Sequence, residues 1–349
     1  MAGSGRARTP TGRVRVGPSI DDVARLAGVS AQTVSRVSRG ASNVREATRL
    51  RVTEAMEQLG YSPNHAARAL RYGSFRTIGV IAHQLARTGE SRTVEGLVGA
   101  ARRRGYTVSL VDVEHPFPAE VTAAAQRLTH QAIDGLVIIR AETTGPTTLA
   151  MPRRMPVVVS DSRLVGHGPV VGADQTGGME LAVDHLLELG HATVHHLAGP
   201  ADSGPAQLRI DAWRSRLERA GRRVPAIVRG DWTARSGYEL GTRFASEEEM
   251  TAVVCGNDEM AAGFLRALAE RGVRVPDDVS VIGFDDIPLA EYLSPPLTTV
   301  QQDFARIGEE LVSLLLEQIE GGGVVIDRHV TVPTTLIVRA STAPPRVRR

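Results

Sequence analysis

The chain has 349 residues, a length that favours about two domains of roughly 150 residues each. Hydrophobic residues make up 42% and charged residues 23%, and no apolar run approaches the ~20 residues of a membrane helix, which excludes a membrane protein and a wholly disordered chain. The single cysteine, Cys255, excludes an intramolecular disulfide, and the absence of lysine excludes P-loop ATPases, protein kinases and Schiff-base enzymes. The first 16 residues have no apolar signal segment, so we predict a cytoplasmic protein.

The charge is divided unevenly along the chain. Residues 1–76 contain 13 arginines and 5 acidic residues, a net charge of +8, whereas the remainder contains 28 arginines and 34 acidic residues, a net charge of −6. A small basic region of this kind favours a polyanionic partner, because neutralising phosphates releases condensed counterions. An arginine-rich solvated tail is the alternative.

Helix signals follow each other closely in the basic region. Ser19 can cap a helix over 20–27, whose apolar residues recur at helical spacing, and Gly28 ends it. Ser30 can cap a second helix after a tight turn. A third helix is predicted over 45–59. Three short helices of this kind can share one small core.

This order of helix, glycine-containing turn and helix is typical of a helix-turn-helix, whose second helix lies in the major groove of DNA. The second helix here presents Ala31, Gln32 and Arg36. Gln32 and Arg36 share a face because they are four residues apart, and their side chains suit adenine and guanine respectively. The alternative is a small helical bundle with ordinary polar surface residues.

From Thr77 onward, short apolar runs alternate with helical patterns. The predicted strands are 77–82, 106–111, 135–139, 157–160, 194–198, 252–255 and 279–284. The predicted helices are 92–104, 119–131, 177–189, 206–220, 236–244, 258–271 and 304–319. Such alternation indicates parallel sheets with helices on both faces, in two successive sets. We therefore predict an α/β core of two lobes.

Polar residues follow several of these strands. Asp161, Asn257 and Asp285 fall at carboxyl ends, which is where open α/β sheets bind ligands. Carboxylates and amides there can bind sugar hydroxyls, and Trp232 can cover the apolar face of a pyranose ring. In the alternative, Asn257 and Asp285 only cap the loops and helices that follow them.

The motifs of both regions resemble the lac repressor (LacI/GalR) family. SIDDVARLAGVSAQTVSRVS over 19–38 is similar to its DNA-binding headpiece, and LGYSPNHAARAL over 59–70 to the link between headpiece and core. The core motifs are LAGP (197–200), Arg209 with Trp213, GDWTARSG (230–237), GNDEM (256–260), VIGFDD (281–286) and PLTTVQQD (296–303). The resemblance implies a helix-turn-helix headpiece and a periplasmic-binding-protein-like core of two Rossmann-like lobes with parallel sheets.

The resemblance also implies which residues contact each partner. DNA contacts are expected from Ser19, Ser30, Ala31, Gln32, Thr33, Ser35, Arg36, Arg39, Asn43, Tyr61, Asn64, Ala67 and Leu70. Leu70, on a hinge helix, is expected to wedge into the minor groove and bend the duplex. Effector contacts are expected from Asp161, Arg209, Trp232, Asn257, Asp285 and Gln302. A core or linker position for Leu70 and a solvated position for Arg209 are the alternatives.

The sequence departs from the family pattern in three places. Ala31 stands where the lac repressor has a larger tyrosine, so we expect a different operator. Residues 83–91 do not match the effector-facing segment of the lac repressor, which leaves the size of the sugar open. Residues 340–349 contain no leucine heptads, so we predict a homodimer rather than a tetramer.

The predicted organisation runs from one basic end to the other. It comprises a disordered basic tail (1–17), the headpiece (18–62), a hinge helix and linker (63–76), a two-lobed effector-binding and dimerisation core (77–340) and a basic C-terminal tail (341–349).

Together these expectations predict a transcription regulator, a repressor in most members of the family, that binds palindromic operator DNA and responds to a small sugar or glycoside. We expect no cofactor, metal, membrane partner or catalysis, because His191, His195 and His196 form no ligand set and no nucleophile stands out beside a base. A sugar solute-binding protein without a gene-regulatory role should lack the basic headpiece, and a sugar-modifying enzyme should carry a base, nucleophile or cofactor loop. Whether the effector releases or tightens DNA binding stays open.

Overall fold

The computed structural model describes residues 17–38, 41, 43–61, 74–114, 118–139, 155–160, 169–244, 250–323 and 328–346. The chain forms two compact units, Met1–Phe75 and Arg76–Arg349. Five residues with predicted contacts lie outside the described part: Arg39, Asn64, Ala67, Leu70 and Asp161.

The described part of the first unit is helical. Its helices are α1 (Ile20–Ala27), α2 (Ala31–Val37) and α3 (Glu46–Leu59). A capping box starts α1, because the Asp22 N–H donates to Ser19 Oγ (3.3 Å) and the Ser19 N–H donates to Asp22 Oδ2 (2.9 Å). Gly28, at a φ of 65°, ends the helix in the left-handed conformation that glycine adopts without strain. The three helices meet in a core that includes Val23, Val34 and Val52.

The second unit contains two sheets flanked by helices. Its described strands are β1 (Thr77–His83), β2 (Thr107–Val113), β3 (Gly135–Ile139), β4 (Val157–Ser160), β5 (Val170–Ala173), β6 (His195–Ala198), β7 (Val228–Arg229), β8 (Ala252–Cys255), β9 (Ser280–Asp285), β10 (Thr298–Gln302), β11 (His329–Val332) and β12 (Thr334–Ile337). Its described helices are α4 (Thr88–Arg103), α5 (Pro118–His130), α6 (Gln175–Glu188), α7 (Gly204–Arg219), α8 (Ala234–Phe244), α9 (Asp258–Glu270) and α10 (Phe304–Glu320), with a 3₁₀ helix at Pro288–Tyr292.

Each sheet belongs to one lobe. The first lobe has the strand order β11-β5-β4-β3-β1-β2, and every described pairing in it is parallel. The second lobe has the order β12-β10-β9-β8-β6-β7, in which the described pairings are parallel except that of β10 with β12. The predicted fold class, a helical headpiece followed in the chain by two α/β lobes with parallel sheets, is confirmed.

The chain passes between the lobes at three connections. Helix α6 follows β5 of the first lobe but packs its Met179 and Val183 against the sheet of the second. Helix α10 follows β10 of the second lobe but packs its Ile307 and Leu311 against the sheet of the first. The third connection joins β11 to β12. Each lobe is therefore assembled from chain segments that are distant in sequence.

Each predicted core strand and helix has a counterpart in the structure, but five strands had no prediction: β5, β7, β10, β11 and β12. These strands are two to five residues long, and β10 (TTVQQ) and β12 (TTLI) are rich in polar residues, so neither apolar run nor alternation marks them. Helix α4 begins at Thr88, four residues before its predicted start at 92. The added turn carries residues that line the cavity described below.

The chain from 341 onward, predicted as a tail, is held on the second lobe as far as the structure describes it. Ser341 is buried, and its hydroxyl donates to the Val281 carbonyl at 2.6 Å while accepting from the Thr298 N–H at 2.8 Å. The Ala343 carbonyl lies 3.0 Å from His191 Nε2. His191 is thus a buried structural residue, and the described residues contain no group of side chains that could hold a metal ion. Nor do they include a helix long and apolar enough to span a membrane.

Candidate functional site

The first candidate surface is the exposed face of α2 in the headpiece. Ser30 caps this helix, accepting from the Thr33 N–H at 3.2 Å. Gln32 and Arg36 are exposed on one face, while Val34 and Val37 are buried. The helix therefore presents a polar face with a cation, the kind of surface that reads base edges.

The remaining predicted DNA-contacting residues of the described headpiece differ in their exposure. Asn43 is exposed, whereas Tyr61 is half-buried and packs against the helical core. The Ser19 hydroxyl is engaged by Asp22 in the cap of α1. Three further predicted residues lie on α2 and are half-buried: Ala31, Thr33 and Ser35.

The second candidate site is a cavity of about 660 Å³ in the core, lined from both lobes. The predicted residues Arg209, Trp232, Asn257, Asp285 and Gln302 all line it. They come from α7, the loop before α8, the start of α9 and the carboxyl ends of β9 and β10. The cavity thus lies at the edge where open α/β sheets bind ligands.

A buried polar network forms one wall of this cavity. Asp285 Oδ1 accepts from Gln302 Nε2 at 2.6 Å and lies 3.7 Å from Nη2 of Arg209. Arg209 Nε donates to Gln175 Oε1 at 2.7 Å, and Gln175 Nε2 donates to Gln302 Oε1 at 3.0 Å. Arg209 also donates to the Gly256 carbonyl. The network fixes the positions of its donors and acceptors, because each side chain is held by at least two others.

Burial shifts the pKa values of the ion pair in this network. Desolvation raises the pKa of Asp285 to about 7, although the charge of Arg209 acts in the opposite direction. Desolvation likewise lowers the pKa of Arg209 to about 10, against the charges of Asp285 and Asp258. The charged state of Asp285 therefore depends on its partner.

An aromatic wall stands beside the network. The guanidinium of Arg209 lies 3.6 Å from the centroid of the Phe284 ring and 5.5 Å from that of Trp232. The Trp232 ring lies against Gly199, where a Cβ atom would stand 2.3 Å from it. Asn257 Nδ2 donates to the Trp232 carbonyl at 3.0 Å, so Asn257 also positions this residue. A glycine is required at position 199 for the ring to lie this close to the end of β6.

Two comparisons with known proteins agree with this architecture. Residues 19–64 match the family described as "Bacterial regulatory proteins, lacI family", and residues 183–342 match "Periplasmic binding protein-like domain". The ribose operon repressor of Escherichia coli (strain K12) is 33% identical over 307 residues, covering 86% of this chain and 93% of the repressor. The chain belongs to the lacI family.

Further members show the same relationship. The HTH-type transcriptional repressor PurR of Vibrio parahaemolyticus is 35% identical over 318 residues, covering 86% of this chain and 92% of PurR. A crystal structure of the lac repressor dimer bound to operator and the anti-inducer ONPF superposes with a TM-score of 0.79 at 33% identity, covering 94% of this chain and all of that one. As a lacI-family protein, the chain is a DNA-binding transcription regulator with an effector-binding core.

Some residues that line the cavity of this lacI-family protein had no sequence signal of their own. Gln175 joins the buried network although it follows an unpredicted strand, β5, and contacts Gln302, which is 127 residues away. Thr88, Glu90 and Glu259 line the cavity, and Thr88 Oγ1 donates to Glu259 Oε1 across it from one lobe to the other. The motif GNDEM contains Glu259, but the spacing of its residues does not indicate that position 259 faces position 88.

A strained turn presents Asp285 to the cavity. Asp285 and Asp286 have φ values of 107° and 53°, a region that residues other than glycine rarely adopt. Asp258 Oδ2 holds this turn by accepting from the Ile287 N–H at 2.8 Å, and Arg339 Nη2 lies 2.7 Å from Asp286 Oδ1. The second lobe therefore holds the conformation that aims Asp285 at the ligand space.

Proposed function

We propose that this regulator is a homodimeric repressor that binds palindromic operator DNA through α2 and changes its operator affinity when a sugar occupies the cavity. The observation that carries the effector class is the Arg209–Asp285–Gln302 network beside the Trp232 ring. The guanidinium donates, the carboxylate accepts and the ring offers an apolar face, which together match the hydroxyls and C–H face of a sugar. This class is supported by two proteins to which the chain is similar. One is the ribose operon repressor, and the other is the transcriptional regulator CelR, whose structure was solved in complex with cellobiose.

We propose that the cavity binds its ligand without transforming it. In the wall formed by the Arg209 network, the polar side chains are engaged by the protein itself, since Arg209 and Gln302 hold Asp285, and Asn257 caps α9 by accepting from the Met260 N–H at 2.9 Å. Groups held in this way orient a ligand. Because a DNA-binding repressor acts where the operator DNA is, we infer that the protein is cytoplasmic.

The proposed response is a shift between two arrangements of the lobes. Because both lobes contribute to the cavity, a ligand that contacts both favours one arrangement over the other. The resulting change in operator affinity can be no larger than the difference in ligand affinity between the two arrangements.

Selection of bound sequences from a random double-stranded DNA pool, followed by titration of the bound operator with sugars, tests this function. We expect an enriched palindrome whose affinity changes on addition of a sugar. If no sequence is enriched, the DNA-binding part of the proposal is contradicted. If the enriched palindrome is insensitive to every sugar, the effector part is contradicted.

Substitution of Arg36 tests the proposed DNA-reading face. Arg36→Ala is expected to cost about 1–3 kcal/mol at the preferred operator and to relax the preference for one base pair. Arg51→Ala, an exposed arginine on α3, is the matched control and should not relax base preference. An unchanged selected sequence for Arg36→Ala contradicts the proposed face.

A further inference from the structure

The cavity has a second polar region, at the start of α4. Arg87, Thr88 and Glu90 reach it from the first lobe, and Asp231 and Glu259 from the second. This region lies within residues 83–91 on the first-lobe side, the segment whose sequence departs from the family pattern.

The described part of the cavity lining carries a negative formal charge. Five acidic residues and two arginines, Arg87 and Arg209, are among the described residues that line it, which gives these residues a net formal charge of −3. The positive charge of Arg87 interacts with three acidic residues of the protein itself, Glu90, Asp202 and Asp231. Arg209 is likewise paired with Asp285. Both arginines therefore already interact with acidic residues of the protein, which disfavours binding of an anionic ligand by either.

Glu259 has one carboxylate oxygen for which the described residues supply no hydrogen-bond donor. Its Oε1 accepts from Thr88 Oγ1, but among the residues that the structure describes Oε2 has no hydrogen-bond partner and is shielded from solvent. A buried acceptor without a donor costs about 1–3 kcal/mol, so such atoms in native proteins point to a water, an ion or a ligand group.

Glu90 adds a second carboxyl to the same region. It is only 6% exposed, and its charge interacts with that of Arg87 and with that of Glu259. Burial raises the pKa of Glu90 to about 7, because desolvation disfavours the ionised form.

We propose that Glu90 and Glu259 form a second effector subsite that accepts hydrogen bonds from hydroxyl or ammonium groups and rejects anionic groups. This inference rests on the proposed function, because it describes the other end of the same ligand. An effector that fills both subsites is polar at both ends and uncharged or cationic. Unsubstituted saccharides and amino sugars meet this requirement, whereas sugar phosphates and aryl glycosides do not.

Isothermal titration calorimetry on the full-length protein tests the subsite with matched ligands. Each set contains a saccharide, its amino-sugar analogue, its phosphate ester and its aryl glycoside, and sets are built on a pentose, a hexose and a disaccharide. We expect the saccharide or the amino sugar to bind at least about tenfold more tightly than the other two, equivalent to about 1.4 kcal/mol. The comparison of hydroxyl with amine shows which donor the subsite takes.

The matched variants are Glu90→Gln, Glu259→Gln and their combination, with Glu95→Gln, an exposed residue of the same helix, as the control. Removing both negative charges is expected to reduce the preference against the phosphate ester to about twofold or less, whereas Glu95→Gln leaves it unchanged. A cooperative thermal transition checks that each variant is folded.

The outcomes separate the subsite from the proposed function. Equal or tighter binding of the phosphate ester or aryl glycoside by the wild-type protein overturns the subsite, as does an unaltered preference in the double variant. Absence of binding by every member of every set overturns the proposed sugar response together with the subsite.

Discussion

At one end of the cavity Arg209, Asp285 and Gln302 bind one another, whereas at the end near the start of α4 Glu90 is buried and Glu259 Oε2 has no hydrogen-bond partner among the described residues. The two ends have different physical roles. A network whose members satisfy each other keeps its geometry without a ligand, and a carboxyl oxygen that lacks a protein donor can accept a hydrogen bond from a ligand. The first end orients a ligand and the second selects it by charge. Substitutions at the two ends are therefore expected to change different properties.

The largest effect is expected from Arg209→Leu at the paired end. The substitution leaves Asp285 buried without its cation, which should reduce the free energy of unfolding at pH 8 by about 3–5 kcal/mol. Urea denaturation measures the change. Arg214→Leu, an exposed arginine on the same helix, is the control and should change stability by less than about 0.5 kcal/mol. A loss below about 1 kcal/mol for Arg209→Leu contradicts the role given to the ion pair.

Glu90→Gln at the open end is expected to change the pH dependence of stability. Burial raises the pKa of Glu90 from its ordinary value of 4.5 to about 7, so between these pH values the folded protein binds more protons than the unfolded chain. The free energy of unfolding contributed by this group therefore falls as pH rises from about 4.5 to about 7.

Replacement of Glu90 by glutamine removes this contribution. At pH 8 it should raise stability by up to about 3 kcal/mol, and at pH 4 it should change stability little. Denaturation curves at several pH values check both points. Asp285 has a pKa raised to about 7 as well, so part of the fall with pH remains in the variant. Equal effects of Glu90→Gln at pH 4 and pH 8 contradict the assignment.

Trp232→Leu is expected to weaken sugar binding without a large loss of stability. The ring lines the cavity and is half-buried, so its removal exposes the apolar face of the ligand and should lower affinity by roughly tenfold, about 1.4 kcal/mol. Calorimetric titration measures the change, and Trp232→Phe should recover most of it. An affinity equal to that of the wild type places the sugar away from this wall.

The smallest effect is expected from Thr88→Val, which keeps the shape of the side chain and removes its hydroxyl. Glu259 then loses its donor from the first lobe, which should cost about 1 kcal/mol in stability. Thr88→Ser retains the hydroxyl and should behave like the wild type in thermal unfolding. Identical melting curves for the valine and serine variants contradict the inter-lobe hydrogen bond.

Sequence signals predicted the headpiece helices well because the interactions that begin and end them are local. Each of Ser19, Gly28 and Ser30 acts on a residue within four positions of itself, and each caps or ends its helix as predicted. In the core, the strand and helix pattern gave the fold class, and the family resemblance supplied Arg209 and Gln302 as site residues.

The missed site residues depend on contacts between distant parts of the chain. Thr88 meets Glu259 across 171 residues, and Gln175 meets Gln302 across 127. No periodicity encodes such encounters, because they follow from the order of strands in each sheet and from the three connections between lobes. Asn257 illustrates a second difficulty, since its side chain both caps α9 and holds Trp232, so the cap and the cavity position are not exclusive alternatives.

The three connections between the lobes run side by side and are tied together. The Asp174 N–H donates to the Val332 carbonyl at 2.8 Å, Thr334 Oγ1 donates to the Asp174 carbonyl at 3.1 Å, and Gln175 bonds Gln302. Because the three connections are adjacent and hydrogen-bonded to one another, the two lobes cannot slide or twist freely against each other. They keep the rotation about the line along which the connections lie. A ligand in the cleft then needs only to select one angle, and little of its binding energy is spent on ordering any other motion.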